Sequence, residues 1–207
     1  FNNELWQKPA GGAGGDFYTH QIANSVRVEN SSANSTATNY FYRDGDAGNR
    51  DTWTLGMWIK RARISTSNSH TSMSTWGGHS GSDSTQSTAS DRARMYVNGE
   101  LITDLQATTY PAQNADHSWN SGGYQFIGTN LTSSNGNNPY QGFDGYIAEV
   151  VSIDGTSLDP MDNLVETKNG VIIPKDPSGH TFGTNGFWLK FTNSSALGED
   201  FSGNDND

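Results

Sequence analysis

Glu149 is the first residue to weigh for chemistry. It is the one carboxylate inside an otherwise apolar run, Tyr146-Ile147-Ala148-Glu149-Val150-Val151-Ser152-Ile153. Glycoside hydrolysis needs two carboxyl groups, about 5–10 Å apart across the scissile bond. The neighbours of Glu149 at two-residue spacing are Ile147, Val151 and Ile153, so no E-x-D-x-E type run supplies the second acid. The expected role of Glu149 is therefore an ion pair with Arg or Lys, or a place on a sheet surface. The five histidines, His20, His70, His79, His117 and His180, show neither H-x-H nor H-x-x-x-H spacing, and none adjoins a serine in a nucleophile-elbow context. No catalytic or metal-ligating residue is assigned, and the chain is read as a non-enzyme.

Two runs gather oxygens closely enough to concern calcium. One is Asp44-Gly45-Asp46-Ala47-Gly48-Asn49-Arg50-Asp51; the other holds Asp200, Asn204, Asp205 and Asp207. Gly48 stands where a ligand should be, and no Glu closes the first run. Plain turn chemistry is the expectation for both, because Asp, Asn and Gly are what turns require. No cofactor is assigned. Sugar binding needs an exposed aromatic platform beside amides or carboxylates. Trp76, Trp119, Tyr124 and Tyr140, with Tyr110, lie in or beside polar loops and are the candidates for such a surface. Core capping is the competing role for each ring. Asn30, Asn34, Asn130 and Asn193 begin N-x-S/T sequons, which arise by chance in a chain so rich in these residues.

The elements that must carry these residues are strands. With 207 residues the chain is one domain in size and can bury about 70 % of its unfolded surface. It has no cysteine, which removes disulfides, zinc thiolates and cysteine nucleophiles together. A net charge of −10 argues against nucleic acid as a partner. No apolar run approaches the roughly 20 residues of a membrane span, so membrane insertion is not expected. The chain starts at Phe1 without a methionine, so the lack of a leader excludes nothing.

Period-two alternation marks strands at 52–60, 92–97, 146–153 and 186–191. Trp53, Leu55, Met57 and Ile59 are assigned to one core face, with Trp58 opposite, filling the space beside Gly56. Ile147, Val151 and Ile153, and Phe187, Leu189 and Phe191, are likewise assigned to the core. Shorter strands are expected at 25–28, 39–42, 100–103, 124–128 and 171–173. Residues 44–49 read as a turn, Asn98-Gly99 as a hairpin turn, and 158–164 as one helical turn. Residues 64–91 are nearly all small and polar and read as a long loop. The fold class is all-β: an antiparallel two-sheet sandwich, with a jelly roll as the commoner arrangement.

Residues 1–20 read as an arm, and 21–207 as the sandwich. Phe1, Leu5 and Trp6 precede a Gly-rich tract at 11–15. Covering three such side chains is worth roughly 5 kcal/mol, and the expectation is that they dock on a neighbouring subunit or another protein of the assembly.

Several segments together resemble a known module. The run TWTLGMWIKR at 52–61 resembles an early strand of concanavalin A-like, laminin-G-like sandwiches, and DRARMYVNGE at 91–100 their hairpin. FDGYIAEVVSIDGTSLDP at 143–160, with 183–191 and 197–205, is similar to a module of tailed-bacteriophage virion structural proteins. The likeness is strongest after Tyr140. Residues 65–90 depart from it, because the family places several strands there. The resemblance implies a concanavalin A-like fold and a non-enzymatic role on the virion surface, in a tail fibre, appendage or capsid decoration. Its partners would be other virion proteins and further copies of the chain. The alternative it implies is an adhesion module that recognises host-surface glycans.

Overall fold

The computed structural model describes residues 17–29, 39–62, 81–104, 109–116, 119–131, 139–140 and 142–207. They form an all-β, antiparallel sandwich with one α-helical turn, α1 (Pro160–Asn163), and two 3-10 turns, Ala89–Asp91 and Pro177–Gly179. No helix among them is long and apolar enough to cross a membrane.

The main sheet is built on β11 (Gly145–Asp154), the central strand anticipated from its apolar run. One edge of β11 pairs along its length with β3 (Thr52–Arg61). The other edge is shared: β1 (Val26–Val28) takes the first half and β14 (Phe187–Leu189) the second. Beyond β3 lie β4 (Gly81–Asp83) and β5 (Ala93–Arg94). A second pair, β2 (Phe41–Ala47) with β8 (Ser121–Ile127), contributes Phe41 and Ile127 to the core on one face of this sheet. That core also holds Val26, Val28, Trp53, Leu55, Ile147, Val150, Phe187, Leu189 and Phe191. The opposite face is covered by loops, through Val151, Ile153, Leu164, Phe182 and Trp188. Small hairpins complete the fold: β6 (Tyr96–Val97) with β7 (Glu100–Leu101), β9 (Asn130–Leu131) with β10 (Pro139–Tyr140), and β12 (Val165–Lys168) with β13 (Val171–Pro174). This strand order establishes the antiparallel sheets; it does not establish a jelly roll.

Several elements differ from the sequence reading, each for a physical reason. Residues 44–47 are strand, because Asp44 and Gly45 pair with Tyr124 and Gly123 of β8. A strand emerges from the polar stretch at 81–83, held by ladder bonds to Thr52 and Trp53 and not by any apolar side chain. The run at 92–97 breaks at Met95 into strands of two different sheets. Ile59 is exposed, since β3 outruns the layer that covers Trp53 and Leu55; Met57 is partly buried. The space over Gly56 is taken by Leu164, whose Cδ1 would lie 2.7 Å from a Cβ there, and not by Trp58. Residues 17–20, assigned to the arm, lie against the sandwich. Thr19 donates to Glu166, and Lys168 sits 5.6 Å over the Phe17 ring.

The main correction lies within β11. Its register against β3 shifts between Ala148 and Val151, so Glu149 and Val150 together oppose Met57. This is a β-bulge, and Glu149 has φ +47°, a region side chains other than Gly and Asn seldom enter. The extra residue reverses the alternation. Ile147 and Val150 share one core, while Val151 and Ile153 face the other. All three assigned residues are buried, but not on one face.

Candidate functional site

The bulge places Glu149 at the junction where β1 ends and β14 begins along the edge of β11. Glu149 is 5 % exposed. Oε1 lies 2.6 Å from His20 Nε2 and accepts from Trp188 Nε1 at 3.1 Å. The expected Arg or Lys partner is thus a histidine, delivered by the segment before β1. Trp188 is enclosed in turn: Phe182 stacks on it at 6.3 Å and Lys190 Nζ sits 4.6 Å over its ring. Close by, Asp176 is held below its ordinary range, first by the Ser178 N–H and then by the Ser178 hydroxyl, with Lys190 adding to the effect. This cluster is tightly paired, and Glu149 turns inward to it.

A second carboxylate, Asp154, ends the same strand. It accepts from Asn49 N (2.8 Å) and Asn120 Nδ2 (3.0 Å) at Oδ1, and from Asn185 N (3.1 Å) at Oδ2. Gly48 is required here. A Cβ at that position would stand 2.8 Å from Asp154 Oδ2. The glycine that interrupts the calcium-like run therefore makes room for a carboxylate 106 positions away in sequence. The C-terminal run is engaged similarly. Asp200 accepts from the backbone N–H groups of Trp188, Ser202 and Asn206, and from the Ser202 hydroxyl. Among the described residues no three His, Asp or Glu side chains gather as a metal site.

The outward face of β2 and β8 is different. Tyr40 and Tyr42 from one side, and Tyr124 and Phe126 from the other, form a continuous patch of rings. Centroids are 5.7 Å (Tyr40–Phe126), 5.9 Å (Tyr42–Tyr124) and 6.2 Å (Tyr42–Phe126) apart. Tyr42 is 62 % exposed and Tyr124 46 %. Strand alternation puts Asp44, which lies opposite Tyr124, on the same side. Aromatic faces with a carboxylate beside them are the chemistry of a carbohydrate-contacting surface.

Of the sequence candidates, Tyr124 lies in this patch. Trp119 does not: it is 2 % exposed in the core, 6.1 Å from Trp53, because it enters the fold just before β8 turns inward. It is a packing residue with no surface for a sugar ring. Tyr110 is half-buried, and Tyr140 sits in β10 opposite Asn130. Phe1, Leu5, Trp6, Trp76, His70, His79 and His117 lie outside the described residues. Tyr40 and Tyr42 were missed. Their signal was a Tyr-x-Tyr spacing that becomes one face only once the strand is known to continue to Ala47.

On its inner side the β2/β8 pair borders a cavity of about 50 Å³, partly open to solvent. Phe41, Trp119, Ile127, Phe187 and Leu189 line it, with Gln125 and its cross-strand neighbour Arg43. Arg43 donates to Asn185 O at 2.7 Å, and burial lowers its pKa. Compared with protein-family models, curated proteins and solved structures, the chain matches none of them.

Proposed function

We propose that this chain is a non-enzymatic sandwich module displayed on the surface of a tailed-bacteriophage particle, held there by other virion proteins and further copies of itself. The reading rests on the resemblance of residues 143–160 to such modules, a run that forms the central strand of the main sheet. The observation that carries its non-enzymatic part is the enclosure of Glu149. The carboxylate best placed for glycoside chemistry is bonded to His20 and Trp188 and buried. The test is mass spectrometry and image reconstruction of purified particles. The chain should occur in them at the copy number of a structural protein. Its absence from particles, or cleavage of a glycan polymer by the pure protein, would sink the reading.

The tyrosine patch favours a second reading, adhesion to host-surface glycans by the outer face of β2 and β8. Tyr42→Ala combined with Tyr124→Ala should stay within about 0.5 kcal/mol of the parent in stability for each exposed site. Glycan-array binding should fall by about tenfold or more, equivalent to about 1.4 kcal/mol. Unchanged array binding by the double variant would move adhesion away from this face.

A further inference from the structure

Gln125 is 8 % exposed, and neither its Nε2 nor its Oε1 has a hydrogen-bond partner among the described residues. The Trp119 indole N–H is buried and unpaired there as well. Both residues line the same cavity. Leaving a primary amide dry and unpaired is costly, and an isosteric hydrophobe would fill the position at no such cost. The group is therefore placed to meet something that enters.

We propose that the cavity between the β2/β8 pair and β14 takes a neutral acetamido or carboxamide group, which pairs with the Gln125 amide. An incoming amide offers one C=O and one N–H side by side. Its oxygen accepts from Gln125 Nε2 while its N–H donates to Gln125 Oε1, so both buried atoms are satisfied together. Its methyl or methylene meets Phe41, Ile127, Phe187 and Leu189. A lone hydroxyl offers a single oxygen to two separated atoms. A water would pair with the polar atoms alone and would leave the aromatic and aliphatic wall without an apolar partner. A carboxylate would only accept, leaving Gln125 Oε1 unpaired. It would also meet Asp207, which lines the cavity opposite in sign to Arg43. A volume of about 50 Å³ suits a small group at the end of a larger ligand, and not a whole sugar ring.

Two ligand classes carry this group: N-acetylated sugars, and the side chains of Asn and Gln in peptides. The sugar source rests on the adhesion reading; the peptide source does not. The experiment is a proton–nitrogen NMR titration of the full chain, following the Trp119 indole and Gln125 side-chain resonances. The probes are N-acetylglucosamine against glucose, N-acetylgalactosamine against galactose, and N-acetylglutamine amide. The N-acetyl sugars should shift both resonances and the parent sugars neither. A response to the peptide amide alone supports the cavity assignment and fails the adhesion source. Array binding without any acetamido preference fails this inference and leaves adhesion standing. Gln125→Met, which keeps the volume, should weaken the response by about tenfold or more, since a site built around an amide discriminates strongly. If that variant does not fold, contacts between the acetyl methyl and Phe187 or Leu189, seen as cross-relaxation in the unaltered protein, take its place. Equal shifts with glucose and N-acetylglucosamine, no shift with any probe, or a full response in Gln125→Met would each overturn the proposal.

Discussion

Glu149 and Asp154 lie five positions apart on one strand, both buried, and they are held in opposite ways. Asp154 is surrounded by neutral donors: backbone N–H groups from Asn49 and Asn185 and the amide of Asn120. Those donors come from three separate segments, so the carboxylate ties the start of β3, the start of β8 and the loop before β14 to the end of β11. Glu149 is held by side chains alone, a titratable imidazole and an indole, at a point where the backbone itself leaves regular geometry. One acid builds the fold. The other fills a defect in it, and its φ of +47° is tolerated because both partners fix the side chain.

The strongest way to break this contrast is Asp154→Ala. Three donors, two of them buried, would lose this acceptor at once; at about 1–3 kcal/mol for each buried one, the loss should reach about 3 kcal/mol in a urea or thermal unfolding series. Asp154→Asn keeps one acceptor oxygen and should cost less. A loss below about 1 kcal/mol for the alanine variant would show that the three segments hold their positions without the carboxylate.

The same pair shows what was readable in the sequence. Trp53, Leu55, Phe187 and Leu189 are buried as alternation required, because their strands are regular there and covered by one layer; Phe191 is buried too, but beyond the end of β14 and with φ +55°. The faces of Ile147 and Val151 came apart at Glu149, since a bulge carries a recognisable residue only when Gly occupies it. Asn169-Gly170 turns the β12/β13 hairpin with φ +52° and +77°, much as Asn98-Gly99 turns β6/β7 with φ +49° and +79°. That signal was present in the sequence and was overlooked beside the short, polar strand Val165–Lys168. The aromatic patch was half legible. Tyr124 stood out as a ring among polar residues, whereas Tyr42 depended on a strand that runs through Asp-Gly-Asp against its turn propensity. The partners of the two acids were out of reach: His20 lies 129 residues from Glu149, and Asn49 lies 105 from Asp154.

A smaller effect sharpens the Glu149 side. In a double-mutant cycle of His20→Ala and Glu149→Gln, the coupling should be about 1 kcal/mol, as for a partly buried hydrogen bond in a shared network. Trp188 keeps an acceptor in Glu149→Gln, so the cycle isolates the imidazole contact. Additivity within about 0.3 kcal/mol would mean that Trp188 alone holds the bulge, and that His20 merely lies over it.

The smallest expected effect separates the surroundings of the two acids by pH. Asp176 accepts from Ser178 N at 2.9 Å, and this bond is the largest cause of its lowered pKa. Burial opposes the shift, while the Ser178 hydroxyl and the charge of Lys190 add to it. A carboxyl depressed in the folded state contributes stability that is present above its unfolded value, near pH 4, and is lost as pH falls through the lower folded value. Asp176 is largely exposed, so solvent screens most of the ionic part. Asp176→Asn should therefore cost only about 0.5 kcal/mol at neutral pH, the low end for a capping contact. Its signature is the slope: between pH 5 and pH 3 the variant should lose less stability than the parent. Asp176→Asn in a Lys190→Met background should show a smaller difference still, because the Lys190 cation no longer acts on the carboxylate. Parallel acid limbs for parent and variant would mean that the loop before β14 contributes nothing to acid sensitivity. The charged neighbours around Trp188 would then be as inert to pH in this range as the neutral amides around Asp154.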